Sequence, residues 1–206
     1  MSILLAAKET FENIDTGKGP ATCGSHSSDL GGPARIAPII YCYRENLDEM
    51  LVAVKAGTYM THRGSGVLDG ALFLARSCFF ILHGATPREA FEQALGQKID
   101  SPELELRLRK CLESKDSNTR QGVKEFGQMC SINAALPGAV YTVLKNQDSL
   151  EKALIETVMA GGDSSARGMA VDMLMGAYHG SDKIPAHWLR KLKKYEIILA
   201  DLEKLP

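Results

Sequence analysis

The residues with the most chemical reach lie toward the C-terminus, in Gly161-Gly162-Asp163-Ser164-Ser165-Ala166-Arg167-Gly168. Two adjacent glycines let the backbone bend sharply. The acid that follows opens a long apolar-striped stretch, so a cation or polar ligand could be held against a helix end. Asp163 has two readings at this stage. It is a metal ligand with the Ser164 and Ser165 hydroxyls beside it, or it is a helix N-cap that accepts backbone N–H bonds, worth about 1 kcal/mol.

A second candidate is Gly24-Ser25-His26-Ser27-Ser28-Asp29-Leu30-Gly31-Gly32. Small residues and hydroxyls ahead of a helix make a concavity that can accept an anion, and Arg35 could add charge. The same composition also describes a plain connecting loop. It matches no Walker or dinucleotide fingerprint, since no strand precedes it and GxGxxG is absent. A third candidate is His62, after a strongly periodic stretch, where its ring could bond a ligand or simply favour a helix C-terminus. His83, His179 and His187 also lie near helix ends. No Ser-His-Asp order, HExxH or paired-carboxylate motif is readable.

The elements that must position these residues read as helical. Leu4, Leu5 and Lys8 to Phe11 suggest a short first helix, and Thr16 to Gly32 a long loop. Pro33 opens a helix over Ala34 to Tyr43. Leu47, Met50, Leu51, Val54 and Thr58 recur at helical spacing up to Tyr59, and Gly66 to Leu82 is apolar nearly all round, hence central. Thr86-Pro87-Arg88-Glu89 is a capping box, with Ser101-Pro102-Glu103 and Asp148-Ser149-Leu150-Glu151 as further starts. Asp163 to His179 is a helix ended by Gly180, with Ala166, Met169, Ala170, Met173 and Ala177 as its apolar face and Gly168 and Gly176 as points of close approach. Pro185 opens a last pair. Ala139 to Leu144 reads equally as strand or helix. The fold class is all-α, in a single domain over residues 1–206.

The chain has 206 residues with a formal net charge of -1, 45% hydrophobic and 24% charged. That balance argues against nucleic acid as a partner. The densest basic run, Arg190-Lys191 with Lys193-Lys194, reads as a solvated helix end. Five cysteines without CxxC spacing suggest free thiols in a reducing cytoplasm rather than a zinc site. The N-terminus lacks a basic region and a cleavage site, so no signal peptide is expected. No apolar run approaches the roughly 18 residues of a membrane span.

Several stretches together resemble the ADP-ribosylglycohydrolase superfamily, the dinitrogenase-reductase-activating glycohydrolase and its relatives. They are Ser28-Asp29-Leu30 through Ala34-Arg35-Ile36-Ala37-Pro38, then Met60-Thr61-His62, Ala135-Leu136-Pro137, Gly161 to Arg167 with Gly176-Ala177, and Ile184-Pro185 with Trp188. They keep their order from about Thr22 to Leu192. The branch most resembled includes the jellyfish J-type lens crystallins.

The resemblance implies an orthogonal multi-helix bundle whose cleft holds divalent ions, usually Mg2+, beneath an ADP-ribose unit. A metal-activated water then cleaves the ribosyl bond. By the same resemblance Asp163 and Ser165 are placed as metal ligands. Ser27, Ser28, Asp29, Gly31, Gly32, His62 and Ser164 are placed at the ligand. The family pattern Gly-Gly-Asp-Thr-Asp-Thr is altered here, with Ser165 and Ala166 at its last Asp and Thr positions and Arg167 adding a positive charge. The family's Gly-Asp-Ala and Thr-Asp-Asp segments are not in this chain, which resembles the C-terminal part of a family domain. Expected partners are therefore ADP-ribose or an ADP-ribosylated substrate, together with a complementing N-terminal fragment or a second copy. The alternative function is a catalytically inactive ADP-ribose binder or a crystallin-like structural protein.

Overall fold

The computed structural model describes residues 2–114 and 118–205. Among them are twelve α-helices and no strand. In order they are α1 (Ser2–Asp15), α2 (Ala37–Cys42), α3 (Leu47–Tyr59), α4 (Val67–Leu82), α5 (Pro87–Leu95) and α6 (Pro102–Glu113), followed by α7 (Thr119–Phe126), α8 (Ile132–Lys145), α9 (Leu150–Met159), α10 (Ser164–His179), α11 (Ala186–Lys191) and α12 (Tyr195–Leu202).

Helices α4, α8 and α10 form the inner layer, each touching the other two. α3 and α5 cover α4, α6 and α7 cover α8, and α9 lies on α10. The interior is dominated by Phe73, Leu74, Phe91, Leu136, Tyr141 and Leu174, all fully buried. α8 is buried along most of its length and carries Pro137 in its interior. A proline there forfeits one backbone hydrogen bond, so packing rather than propensity holds this helix. Burial on all sides also explains why 139–144 shows no period: a helix without a polar face looks like a buried strand.

Local signals set most helix starts. Thr86 accepts from the Glu89 amide while the Glu89 carboxylate accepts from the Thr86 amide, a complete capping box. Ser149, not Asp148, caps α9 by accepting from the Lys152 amide. Ser101 makes no side-chain cap. Instead the Asp69 carboxylate of α4 accepts from the amides of Asp100 and Ser101, so a distant acid does the work of the expected box. The helix expected over 34–43 is divided into a 3₁₀ turn at Pro33–Arg35 and α2, because Pro38 cannot donate to the preceding turn.

On α10 the buried stripe is Ala166, Arg167, Ala170, Val171, Leu174 and Met175, while Met169 is exposed. The expected face is therefore rotated by about one position. A methyl group at Gly176 would meet nothing and one at Gly168 only an ordinary contact with Thr157, so neither glycine serves close approach. All five cysteines are free, and burial pushes the Cys78 and Cys111 thiols up to about 12. No helix among the described residues is long and apolar enough to cross a membrane.

Candidate functional site

The bend ahead of α10 uses two consecutive left-handed glycines, Gly161 at φ +74° and Gly162 at φ +70°. At Gly162 a side chain would also run into the Gln128 carbonyl, so only glycine fits. The Asp163 amide donates to that same carbonyl at 2.9 Å. Its Oδ1 accepts from the Ala166 amide at 3.3 Å, so Asp163 does cap α10. This bond is long, the residue is half-exposed, and Oδ2 has no hydrogen-bond partner among the described residues. Ser164 is half-buried and Ser165 exposed beside it.

Arg167 does not stand in the mouth of this corner. Its side chain is fully buried and turns back beneath the end of α9, where Nη2 donates to the carbonyls of Gly161 at 2.6 Å and Thr157 at 2.9 Å. It thus satisfies carbonyls that a helix C-terminus leaves open. Burial lowers the guanidinium pKa and the nearby Asp163 carboxylate opposes that shift. Nε and Nη1 have no hydrogen-bond partner among the described residues.

The 24–32 loop is built around Asp29. Its Oδ1 accepts from the Gly31 amide at 2.8 Å and from His62 Nε2 at 2.9 Å, and its Oδ2 from the Ser27 hydroxyl at 2.7 Å. Burial pushes the carboxyl up, but the bonds from His62 and Ser27, the His62 charge and the Gly31 amide together hold it at about 2. His62 lies flat against Gly32, where a Cβ would come within 2.7 Å of the imidazole. Gly31 is tight for a similar reason, 2.8 Å from Asp29 Oδ1. Asp29, Gly31, Gly32 and His62 are all buried, and they form a frame. Ser27 and Ser28 are half-exposed and form its accessible edge.

One short stretch ties loop and corner together. The Leu30 amide donates to Cys130 O at 2.8 Å and the Ile132 amide donates to Ser28 O at 2.8 Å, an antiparallel bridge between Asp29 and Ser131. Two residues earlier, Gln128 O holds Asp163. Two residues of even fully extended chain reach only about 7 Å, and 128–130 form a bend, so the structure places Ser27, Ser28, Asp163 and Ser164 in one neighbourhood. Sequence reasoning missed this strap, residues 128–131, and missed α7 ahead of it. Gly127 at φ +105° followed by Ser131 at the head of α8 was the available signal.

Of the two acids these contacts bring to the junction, Asp29 is buried in its own frame and Asp163 is half-exposed, and no group of three or more His, Cys, Asp or Glu among the described residues is arranged to hold a metal ion. A hard divalent cation asks for about six oxygen ligands. One half-engaged carboxylate and two hydroxyls do not fit that need by themselves.

Comparison with known proteins settles the kinship. A family model described as ADP-ribosylglycohydrolase matches residues 2–206. The chain belongs to the ADP-ribosylglycohydrolase family. It is similar to ADP-ribosylhydrolase ARH3 of Bos taurus, 28% identical over 204 residues that cover 84% of this chain and 56% of that protein. It is similar as well to Crystallin J1A of Tripedalia cystophora, 25% identical over 189 residues, with 91% and 57% covered. Among solved structures an "ADP-ribosylglycohydrolase-related protein complex" superposes with a TM-score of 0.75 at 24% identity, covering 95% of this chain and 65% of that one, which establishes the shared all-α fold. The family and the crystallin kinship read from the motifs both hold. The chain spans a little over half the length of the curated relatives it matches. The ADP-ribosylglycohydrolase family is generally metal-dependent.

Proposed function

We propose that this chain is the ligand-recognising portion of an ADP-ribosylglycohydrolase, and that it holds an ADP-ribosyl group at the junction of the 24–32 loop and the 161–163 corner. The observation that carries the reading is the half-exposed Asp163, tethered through Gln128 to the strap that also fixes the Ser28 edge. Ser27 and Ser28 offer hydroxyls to the diphosphate or ribose, Ser164 offers another, and Asp163 with Ser165 offers oxygen to a divalent ion, Mg2+ by family expectation. His62, Asp29, Gly31 and Gly32 act through the frame that shapes the edge. Hydrolysis of the ribosyl bond asks for carboxylates beyond Asp163, supplied by a complementing segment or a second copy.

The test is calorimetric titration of the chain with ADP-ribose, with and without Mg2+, beside an assay for release of ADP-ribose from a modified peptide. Binding that disappears in Asp163→Ala, with little or no release by the chain alone, is expected. A ligand that binds only the folded state raises its melting temperature, which gives an independent readout. Efficient Mg2+-dependent release by the chain alone overturns the division of labour. Absence of any ADP-ribose binding overturns the proposal and favours a crystallin-like structural role, for which the similarity to Crystallin J1A and the single free carboxylate speak.

A further inference from the structure

A hollow beneath α1 is left unused by this reading. Its volume is about 500 Å³, and its walls include Phe11 and Ile14 of α1 facing Pro20 and Met60 of the body. The volume falls within the ~300–1,000 Å³ usual for small-ligand pockets.

The way α1 is attached explains the gap. Polar contacts hold it: Thr10 Oγ1 donates to Thr61 O at 3.3 Å, Asn13 Nδ2 donates to Cys23 O at 3.0 Å, and the Glu9 carboxylate accepts from the His26 amide at 3.1 Å. The helix is thereby propped over the loop, and its apolar side chains line space instead of filling it. Phe11 is 65% exposed and Ile14 47% exposed as a result.

Charge names the occupant. Among the described residues no acid lines the hollow, whereas Lys18 and Arg35 do. Arg35 donates through Nε to Gly31 O at 2.7 Å and pairs with no acid among the described residues. Lys18 donates to the neutral Asn13 side chain and makes no salt bridge among the described residues, although its charge helps to lower the Glu9 carboxyl. Lys18 also belongs to an adjoining hollow with His26 and Arg63, so the basic character extends outward from the apolar floor. Glu9, the acid at this rim, is already engaged by His26.

We propose that the hollow beneath α1 binds a small amphiphilic monoanion, of the class of medium-chain aliphatic carboxylates, with the chain against Phe11, Ile14 and Met60 and the headgroup at Lys18 and Arg35. The hollow shares His62 as a wall with the loop frame but is lined by none of Ser27, Ser28, Asp163 or Ser164, and it does not rest on the function proposed above. A second copy of the chain is the competing occupant, and it would bring an apolar surface where two cations, neither in a salt bridge among the described residues, call for an anion.

The test is isothermal titration of the full chain with hexanoate, octanoate and decanoate, and with decanol as the uncharged control. Affinity is expected to rise about fourfold per added methylene, and decanol to bind at least tenfold more weakly than decanoate. Ala7→Trp, at an exposed position of the wall, should abolish decanoate binding, and Lys18→Gln should weaken the acid without affecting the alcohol. Phe11→Ser, also exposed, serves as a second probe should Ala7→Trp fold poorly by circular dichroism. Asp163→Ala should retain decanoate binding, which separates this outcome from that of the ADP-ribose experiment. No saturable heat, equal binding of acid and alcohol, or affinity unchanged in both Ala7→Trp and Phe11→Ser overturns the proposal. So does sedimentation showing a dimer that decanoate does not dissociate and Phe11→Ser does.

Discussion

Asp29 and Asp163 hang from the same strap, two residues apart along its backbone, and their surroundings differ in every respect that matters. Asp29 is buried, takes hydrogen bonds from Ser27, Gly31 and His62, and is held at about 2. Asp163 is half-exposed and takes one long bond from the Ala166 amide. A buried carboxylate with three of its roughly four acceptor sites taken by its own chain has little left for a ligand, whereas a half-exposed one with an open oxygen does. An aspartate in a family motif is thus a frame or a donor according to how many partners the fold has already given it.

The sharpest way to break this contrast is Asp29→Ala. It strands a buried imidazole and unties the loop, and should cost about 3–5 kcal/mol, measured by urea denaturation. A loss as small as that of Asp163→Ala would erase the distinction. Next comes Gly162→Ala, where the left-handed dihedral alone costs about 1–3 kcal/mol and the collision with Gln128 O adds to it. Its expected signature is a lower melting temperature together with lost ADP-ribose binding, because the strap is displaced.

The pH dependence follows with its sign fixed. The Asp29 carboxyl is depressed from 3.8 to about 2 in the folded chain. Its contribution, about 2 kcal/mol, is present above the unfolded value and is lost as pH falls from about 3.8 toward about 2. Asp29→Asn should flatten that acid limb, as followed by denaturant midpoint against pH.

Asp163→Ala should cost only about 1 kcal/mol, the worth of a cap, while removing the ADP-ribose thermal shift. A binding isotherm unchanged by this variant would place the ligand elsewhere. The smallest expected effect on stability is that of Ser165→Asp, a few tenths of a kcal/mol, since an acid in the first turn suits the helix dipole. It should nonetheless raise the Mg2+ dependence of the melting temperature by giving Asp163 a neighbour of like charge.

Much of this was legible in the chain. Helices 47–59, 67–82 and 164–179 follow directly from apolar period and caps, and the motif order alone pointed to the family. What was hidden came from contacts distant in sequence. The role of Asp69 in starting α6 lies some thirty positions away from its cause, beyond any local signal. Arg167 looked like a charge in the mouth of the corner because sequence shows spacing and not direction; rotation of α10 sends its guanidinium inward. The glycines at 31 and 32 looked like a ligand cradle, and the space they leave is filled by the chain's own aspartate and histidine.

The strap has one more consequence. Because Leu30 and Asp163 are moored to carbonyls on the same three-residue span, any rocking of the surrounding helices carries both along in step. Their absolute positions can drift while their separation stays constant. A ligand bridging the two would therefore read a short ruler, set by the bent backbone of 128–130 rather than by how firmly the outer helices are seated.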